Sequence, residues 1–350
     1  MLALVVVIAA FAAYFLSFPL YGPLLADLPA NLLESYLTTF MASTIAGSLI
    51  AGTFADRVER KMAALKILAI LLILAVFIYR SGHYIAASAI QGLAVGAHVV
   101  FWGALMSRKV KPWRRATVFA VSAAIANIYL ILVQHSGHVN QLLAALPLVP
   151  VLLLPEVRDK PSRETWSINR DVVNFALPIV VFYILGGFMY AEMEVAFREA
   201  GISVHVLFYV AVVVVAGYLY DRFGRKPVSI AGLLLLAASY VLFNRNLVLS
   251  ALLIQSSYGF VDVFSMIIWA DLARYGSEGK HYAIGFSVIM ASLLAGYKAI
   301  LYYSPKASDF EAIALILLIF ASVLIALVRE PKISQEDYLM RVREMGGASQ

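Results

Sequence analysis

Twelve apolar stretches, most of them long enough to cross a bilayer, leave this 350-residue chain few ways to fold. They fall at about 2–21, 33–55, 63–79, 84–107, 115–135, 139–154, 171–191, 203–220, 227–243, 248–271, 282–303 and 310–328. A membrane-spanning helix needs about 20 largely apolar residues. In hydrocarbon each backbone N–H and C=O must find a partner within the protein, which favours helices over open sheets. Composition agrees: 62% of residues are hydrophobic, 14% are charged and the mean hydropathy is +0.86. A soluble domain carries about a quarter charged residues. The fold class expected is an all-α polytopic membrane protein with twelve transmembrane helices. The first stretch lacks a basic flank before Leu2 and a small-residue cleavage site ahead of Phe18-Pro19, so it reads as a retained helix.

A motif occurs twice. Gly52-Thr-Phe-Ala-Asp56-Arg57-Val-Glu59-Arg60-Lys61 returns as Gly217-Tyr-Leu-Tyr-Asp221-Arg222-Phe-Gly224-Arg225-Lys226, with Gly, Asp, Arg, Arg and Lys all at one offset of 165 residues. Each copy closes the second apolar stretch of its half. A shared offset at five positions marks two related halves. Residues 1–154 form the first six-helix half and 171–328 the second. Residues 155–170, polar and carrying Pro155 and Pro161, form the linker. Residues 329–350 form a tail, where Ser334 and Asp337 have the spacing to cap a short helix over about 335–345.

Lys and Arg set the orientation. With the N-terminus inside, 22 of the 27 basic residues fall in cytoplasmic loops, the linker and the tail. Both termini are therefore expected in the cytoplasm. Topology also accounts for the net charge of +6, so no nucleic-acid partner is called for. The chain has no cysteine, which removes disulfide, zinc-thiolate and thiol chemistry. No phosphate-binding GxxxxGK[ST], zinc HExxH or nucleophile GxSxG pattern appears, so neither an enzyme nor an ATP-driven machine is expected.

The repeated Gly-x-x-x-Asp-Arg-x-Gly-Arg-Lys pattern, between stretches 2–3 and 8–9, resembles that of the major facilitator superfamily. Two pseudo-symmetric six-helix halves, cytoplasmic termini and a polar mid-chain linker fit it too. The resemblance implies a monomeric transporter with a central cavity between the halves, opened alternately to each side. It implies that Gly52, Asp56, Arg57, Arg60, Lys61, Gly217, Asp221, Arg222, Gly224, Arg225 and Lys226 form a gate on the cytoplasmic side. Asp56 would face a helix N-terminus of the other half, where the helix dipole favours a carboxylate. Copy one departs from the pattern with Glu59 where copy two keeps Gly224, so the first loop is expected to differ in shape or to carry an extra ion pair. A further family motif, Arg-x-x-Gln-Gly on the fourth span, has Ser88 in place of its arginine before Gln91-Gly92. The family associates that arginine with proton coupling. Stretch 115–135 contains neither Gly nor Pro, unlike the antiporter pattern of the fifth span.

Polar residues inside the spans carry the remaining chemistry. Asp262 lies mid-span, where a carboxylate costs on the order of 2.5–3.5 kcal/mol on insertion scales. Gln255, Tyr258, Asp262 and Trp269 recur at three, four and seven and share a helical face, as do Gln91, His98 and Trp102. The resemblance implies that spans 1, 4, 7 and 10 surround the cavity, so these faces are expected to oppose each other, with His98 and Asp262 as a coupling or substrate-binding pair. The bland alternatives are a packing histidine and a structural ion pair of Asp262 with Lys298, itself a candidate for the pathway or for snorkelling to the interface. Asp271, near the inner end of the same span, reads as a gate or loop contact. Asn127 and Gln134 line the cavity or bond between helices. Tyr183 and Tyr190 read as lipid-interface anchors.

The reading is a secondary transporter of a small solute in the plasma membrane, with membrane lipid as its surroundings, no cofactor beyond a proton as coupling ion, and no metal. An uncoupled uniporter and a transport-inactive, receptor-like protein stay open as alternatives.

Overall fold

The computed structural model describes residues 1–20, 22–136, 139–157, 159, 171–200, 205–274, 276–303 and 307–328. The tail, the helix expected over 335–345 and linker residues 160–170 lie outside the described residues. Among the described residues the regular elements are all helical.

The first half contains α1 (Leu2–Ser17), α2 (Ala30–Phe54), α3 (Lys61–Arg80), α4 (Tyr84–Lys109) and α5 (Arg115–His135). Its sixth segment is broken into α6 (Leu142–Ala145), a 3-10 turn (Leu146–Leu148) and α7 (Val149–Leu153). Pro147 and Pro150 lie within that short run and remove two backbone donors. The second half contains α8 (Asp171–Glu199), α9 (His205–Phe223), α10 (Arg225–Phe243), α11 (Leu247–Leu272), α12 (Glu278–Tyr303) and α13 (Ala307–Leu327). Nine helices of the described residues are long and apolar enough to cross a membrane, and three shorter apolar helices accompany them. This is a multi-pass membrane protein.

Within the first half α4 packs on α2 and α3, and α1 on α5; within the second, α11 packs on α9 and α10, and α12 on α8. The sequence permits the tightest of these contacts. At the α2–α4 seam a Cβ on Gly92 would stand 2.4 Å from the Phe40 carbonyl oxygen, and one on Gly96 would stand 2.1 Å from that of Thr44. The Gly92-x-x-x-Gly96 pair thus brings two backbones together. Ser88, at the family's arginine position, donates to the Tyr36 carbonyl at 2.6 Å, and the Tyr36 hydroxyl donates to Gln91. Both polar residues of that motif are spent on holding α2 to α4.

The halves meet along two seams, α2 with α12 and α5 with α9, and α12 also touches α4. One end of the bundle, where α2, α4 and α7 finish and α8 begins, is the linker side; the other is the far side.

Candidate functional site

A cavity of about 1000 Å³ lies between the halves. It runs from Trp102, Phe286 and Met266 at its floor to Gln134 and His135 at its mouth, both exposed on the far side. Asp262 is in its wall. Residues at i−7, i−4 and i+4 on a helix share a face, and Gln255, Tyr258 and Met266 accordingly line the cavity beside it. The Asp262 carboxylate accepts from two phenols, Tyr183 on α8 at 2.7 Å and Tyr209 on α9 at 2.9 Å. The Tyr183 hydroxyl also meets Ser265 Oγ at 2.8 Å. Tyr183 is therefore a cavity residue and not a lipid anchor; the Tyr190 side chain lies outside the described residues.

The faces expected to oppose each other are only partly brought together. Trp102 and Asn127 line the cavity from the first half, and Asn127 also donates to the Ala123 carbonyl at 2.9 Å. His98 does not reach it. Its ring is fully buried and stacked on Phe11, with centroids 4.7 Å apart, and it is Phe11 that forms the wall there. Neither His98 nitrogen has a hydrogen-bond partner among the described residues. Gln91 sits in the α2–α4 seam. Trp269, expected on the Asp262 face, lies below the floor, against Gly285, where a Cβ would come within 2.1 Å of the indole. Lys298 pairs with Glu34 of α2 at 2.5 Å and not with Asp262.

Below the floor, Trp102 meets Tyr282 edge-on at 5.5 Å, and Gly103 leaves the space that the Tyr282 ring occupies. Nine residues of α11 separate Asp262 from Asp271, a rise of about 14 Å. At that depth the linker side is closed by two charged clusters, each built on one copy of the motif.

In the first, Asp56 accepts from the backbone N–H of Gly279 at 2.8 Å, at the N-terminus of α12, where the helix dipole favours an anion. Arg108 of α4 is the hub. It reaches Asp159 at 2.9 Å, Glu278 at 3.0 Å and Asp56 at 3.4 Å, and all four side chains are nearly inaccessible. Lys61, fully buried, donates to Asp159 at 2.7 Å and to the Val58 carbonyl at 2.8 Å. Asp159 belongs to the linker, and its own N–H donates to the Glu59 carbonyl at 2.9 Å. Burial pushes the Asp159 carboxyl up, but Arg108 and then Lys61 outweigh it and hold it below the ordinary carboxylate value.

In the second, Asp221 accepts from the N–H groups of Ala116 at 3.1 Å and Thr117 at 2.8 Å and from the Thr117 hydroxyl at 2.6 Å, at the N-terminus of α5. Asp271 is the hub. It is bridged by Arg115 at 3.0 Å and Arg225 at 2.7 Å and accepts from the Tyr220 hydroxyl at 3.0 Å. The first glycine of each motif lies in a seam between the halves: a Cβ at Gly52 would stand 2.4 Å from that of Ala283, and one at Gly217 the same distance from that of Ala120. Gly224 adopts φ 90° at the start of α10, which favours glycine. In copy one the chain instead makes a 3-10 turn over Ala55–Arg57 and then extends through Val58. Arg57, Arg60 and Arg222 are exposed, Arg222 donating to the Tyr218 hydroxyl at 3.1 Å, while Lys226 donates to the Ala326 carbonyl at 2.8 Å.

Arg108, Asp159, Glu278, Arg115 and Tyr209 were not singled out by sequence. Arg108 and Arg115 counted there only toward orientation. The available signal was the pile of basic residues from the end of α4 to the start of α5, facing acids at the end of α11 and the start of α12.

No family model matches this chain, and no curated protein matches it in sequence. Solved structures do match. The human organic anion transporter MFSD10 superposes with a TM-score of 0.73 at 15% identity, covering 92% of this chain and 97% of its own. The proton:xylose symporter XylE, bound to 6-bromo-6-deoxy-D-glucose, gives 0.75 at 15% identity, covering 97% and 98%. A double-tryptophan variant of XylE gives 0.71 at 14%, with the same coverage. At this identity the likeness establishes the architecture: the chain has the fold of the major facilitator superfamily transporters.

Proposed function

We propose that this protein is a secondary transporter of a small solute, loaded from the far side and gated on the linker side by the two charged clusters. The carrying observation is the pairing of a deep cavity, open at one end, with cross-half ion networks at the other. The basic bias supports a linker side and both termini in the cytoplasm; a plasma-membrane location and a monomeric state complete the reading. Asp262 is the group assigned to proton coupling. It is a carboxylate of the cavity wall, held by the Tyr183 and Tyr209 hydroxyls, and an ionisable residue inside a span is a functional-site candidate by default. The structural neighbours, one a proton symporter by name, fit this reading.

The lack of native cysteine makes the test direct. Gln134→Cys reports on the mouth, and Ser107→Cys, buried beside the second cluster, reports on the linker side. With membrane-impermeant maleimides applied to each face of the membrane, Gln134→Cys should label from the far side. Adding Asp271→Asn should lower that labelling and raise Ser107→Cys labelling from the linker side. If both reporters are indifferent to Asp271→Asn, the protein does not alternate and the receptor-like reading replaces this one.

A further inference from the structure

We infer that the solute is a lipophilic organic cation, its positive centre set against Asp262 and its apolar body on the cavity walls. The inference rests on the transporter reading above and adds the chemical class of the cargo.

Charge decides most of it. Among the described residues lining the cavity Asp262 is the one carboxylate, none is Lys or Arg, and His135 stands exposed at the mouth. Cations of the neighbouring spans and gate pair elsewhere: Lys298 with Glu34, and Arg108, Arg115 and Arg225 within the clusters below the floor. The groups that do touch it, Tyr183 and Tyr209, are neutral donors. A carboxylate offers about four acceptor positions, so both oxygens keep capacity for a ligand. An anionic solute would be brought against an uncompensated carboxylate in a medium where Coulomb energies exceed their values in water.

The wall decides the rest. Besides Asp262, His135, three amides and three phenols the described lining is aliphatic, aromatic or glycine, with Ile8, Phe11, Phe15, Phe286, Ile289 and Met290 facing the space. A sugar would meet polar partners on part of the wall only, and each hydroxyl set against the apolar remainder goes without one, at a cost. A cation with an apolar body buries that body on the aliphatic surface and finds aromatic faces for its charge. The volume of about 1000 Å³ admits a drug-sized molecule.

The experiment uses three probes of similar bulk and different charge: tetraphenylphosphonium, tetraphenylborate and neutral triphenylphosphine oxide. Binding to the purified full-length protein in detergent is measured by equilibrium dialysis. Tetraphenylphosphonium should bind saturably and at least tenfold tighter than the other two. Asp262→Asn should weaken it tenfold or more, and Asp262→Glu should keep the preference for the cation. Ala12→Trp, which adds bulk to the wall from α1 and leaves the carboxylate of α11 in the sequence, should block binding even if Asp262→Asn fails to fold. The inference is overturned if the phosphonium shows no saturable binding, if the borate or the oxide binds as tightly, or if both Asp262→Asn and Ala12→Trp leave binding unchanged. Cysteine labelling reads alternation without any ligand, so failure here with intact alternation removes the solute class and leaves the transporter reading.

Discussion

The two linker-side clusters grow from the same motif, yet their polarity is reversed. In the first an arginine sits among three carboxylates, Asp56, Asp159 and Glu278. In the second an aspartate sits between two arginines. The element they share is the motif aspartate on the N-terminus of a helix from the other half, Asp56 on α12 and Asp221 on α5. The repeat thus preserves the contact between backbone dipole and carboxylate, while the hub was free to be solved with either sign. The first cluster also takes in a third party. Asp159 comes from the linker and fills the place where Lys61 and Arg108 converge.

The largest effect should come from removing either hub. Arg108→Ala leaves three buried carboxylates without their guanidinium, and Asp271→Ala leaves two guanidiniums without their acid. Breaking a buried network from one side costs about 3–5 kcal/mol, and thermal unfolding in detergent should show a loss of that order for both. The comparison breaks if one hub proves dispensable, because the side then held by backbone contact alone would be sufficient. Asp159 gives a smaller and more selective effect. Its folded carboxyl titrates below the ordinary value of about 3.9, so the ionised form is the one folding favours. The stability it adds is fully present above that value and is lost as pH falls through the lower folded one. The difference in stability between wild type and Asp159→Asn should be flat from about pH 5 to 8 and shrink below about pH 4. A difference that changes across neutral pH would show that Asp159 is not held ionised by Arg108 and Lys61. The smallest effect belongs to Glu59→Gly, which restores the motif glycine. The Glu59 side chain is exposed, and Asp159 uses only its carbonyl. The change should stay within about 0.5 kcal/mol; a larger loss would assign the side chain a role in docking the linker.

The spans and the two motif copies were legible because a bilayer imposes length and apolarity residue by residue, and because Asp56 and Asp221 repeat at a fixed offset. The face of Asp262 was legible through helical spacing. Its partners were not: Tyr183 and Tyr209 lie 79 and 53 residues away on other helices, and nothing in their local sequence separates a phenol bonded to a carboxylate from one at the lipid interface. His98 shows the reverse difficulty. It shares a face with Trp102, but which flank of that face meets solvent depends on where the Phe11 ring lies. The hubs were hidden for the same reason. Arg108 and Glu278 are 170 residues apart and meet only when the halves are docked.

The linker docked on the first cluster bears on what restrains the two halves. From Asp159 to the start of α8 at Asp171 the chain has twelve residue steps, enough to reach about 40 Å when extended. What holds the linker at Asp159 is chemical: three cations, Lys61, Arg108 and Lys109, converge on one carboxylate.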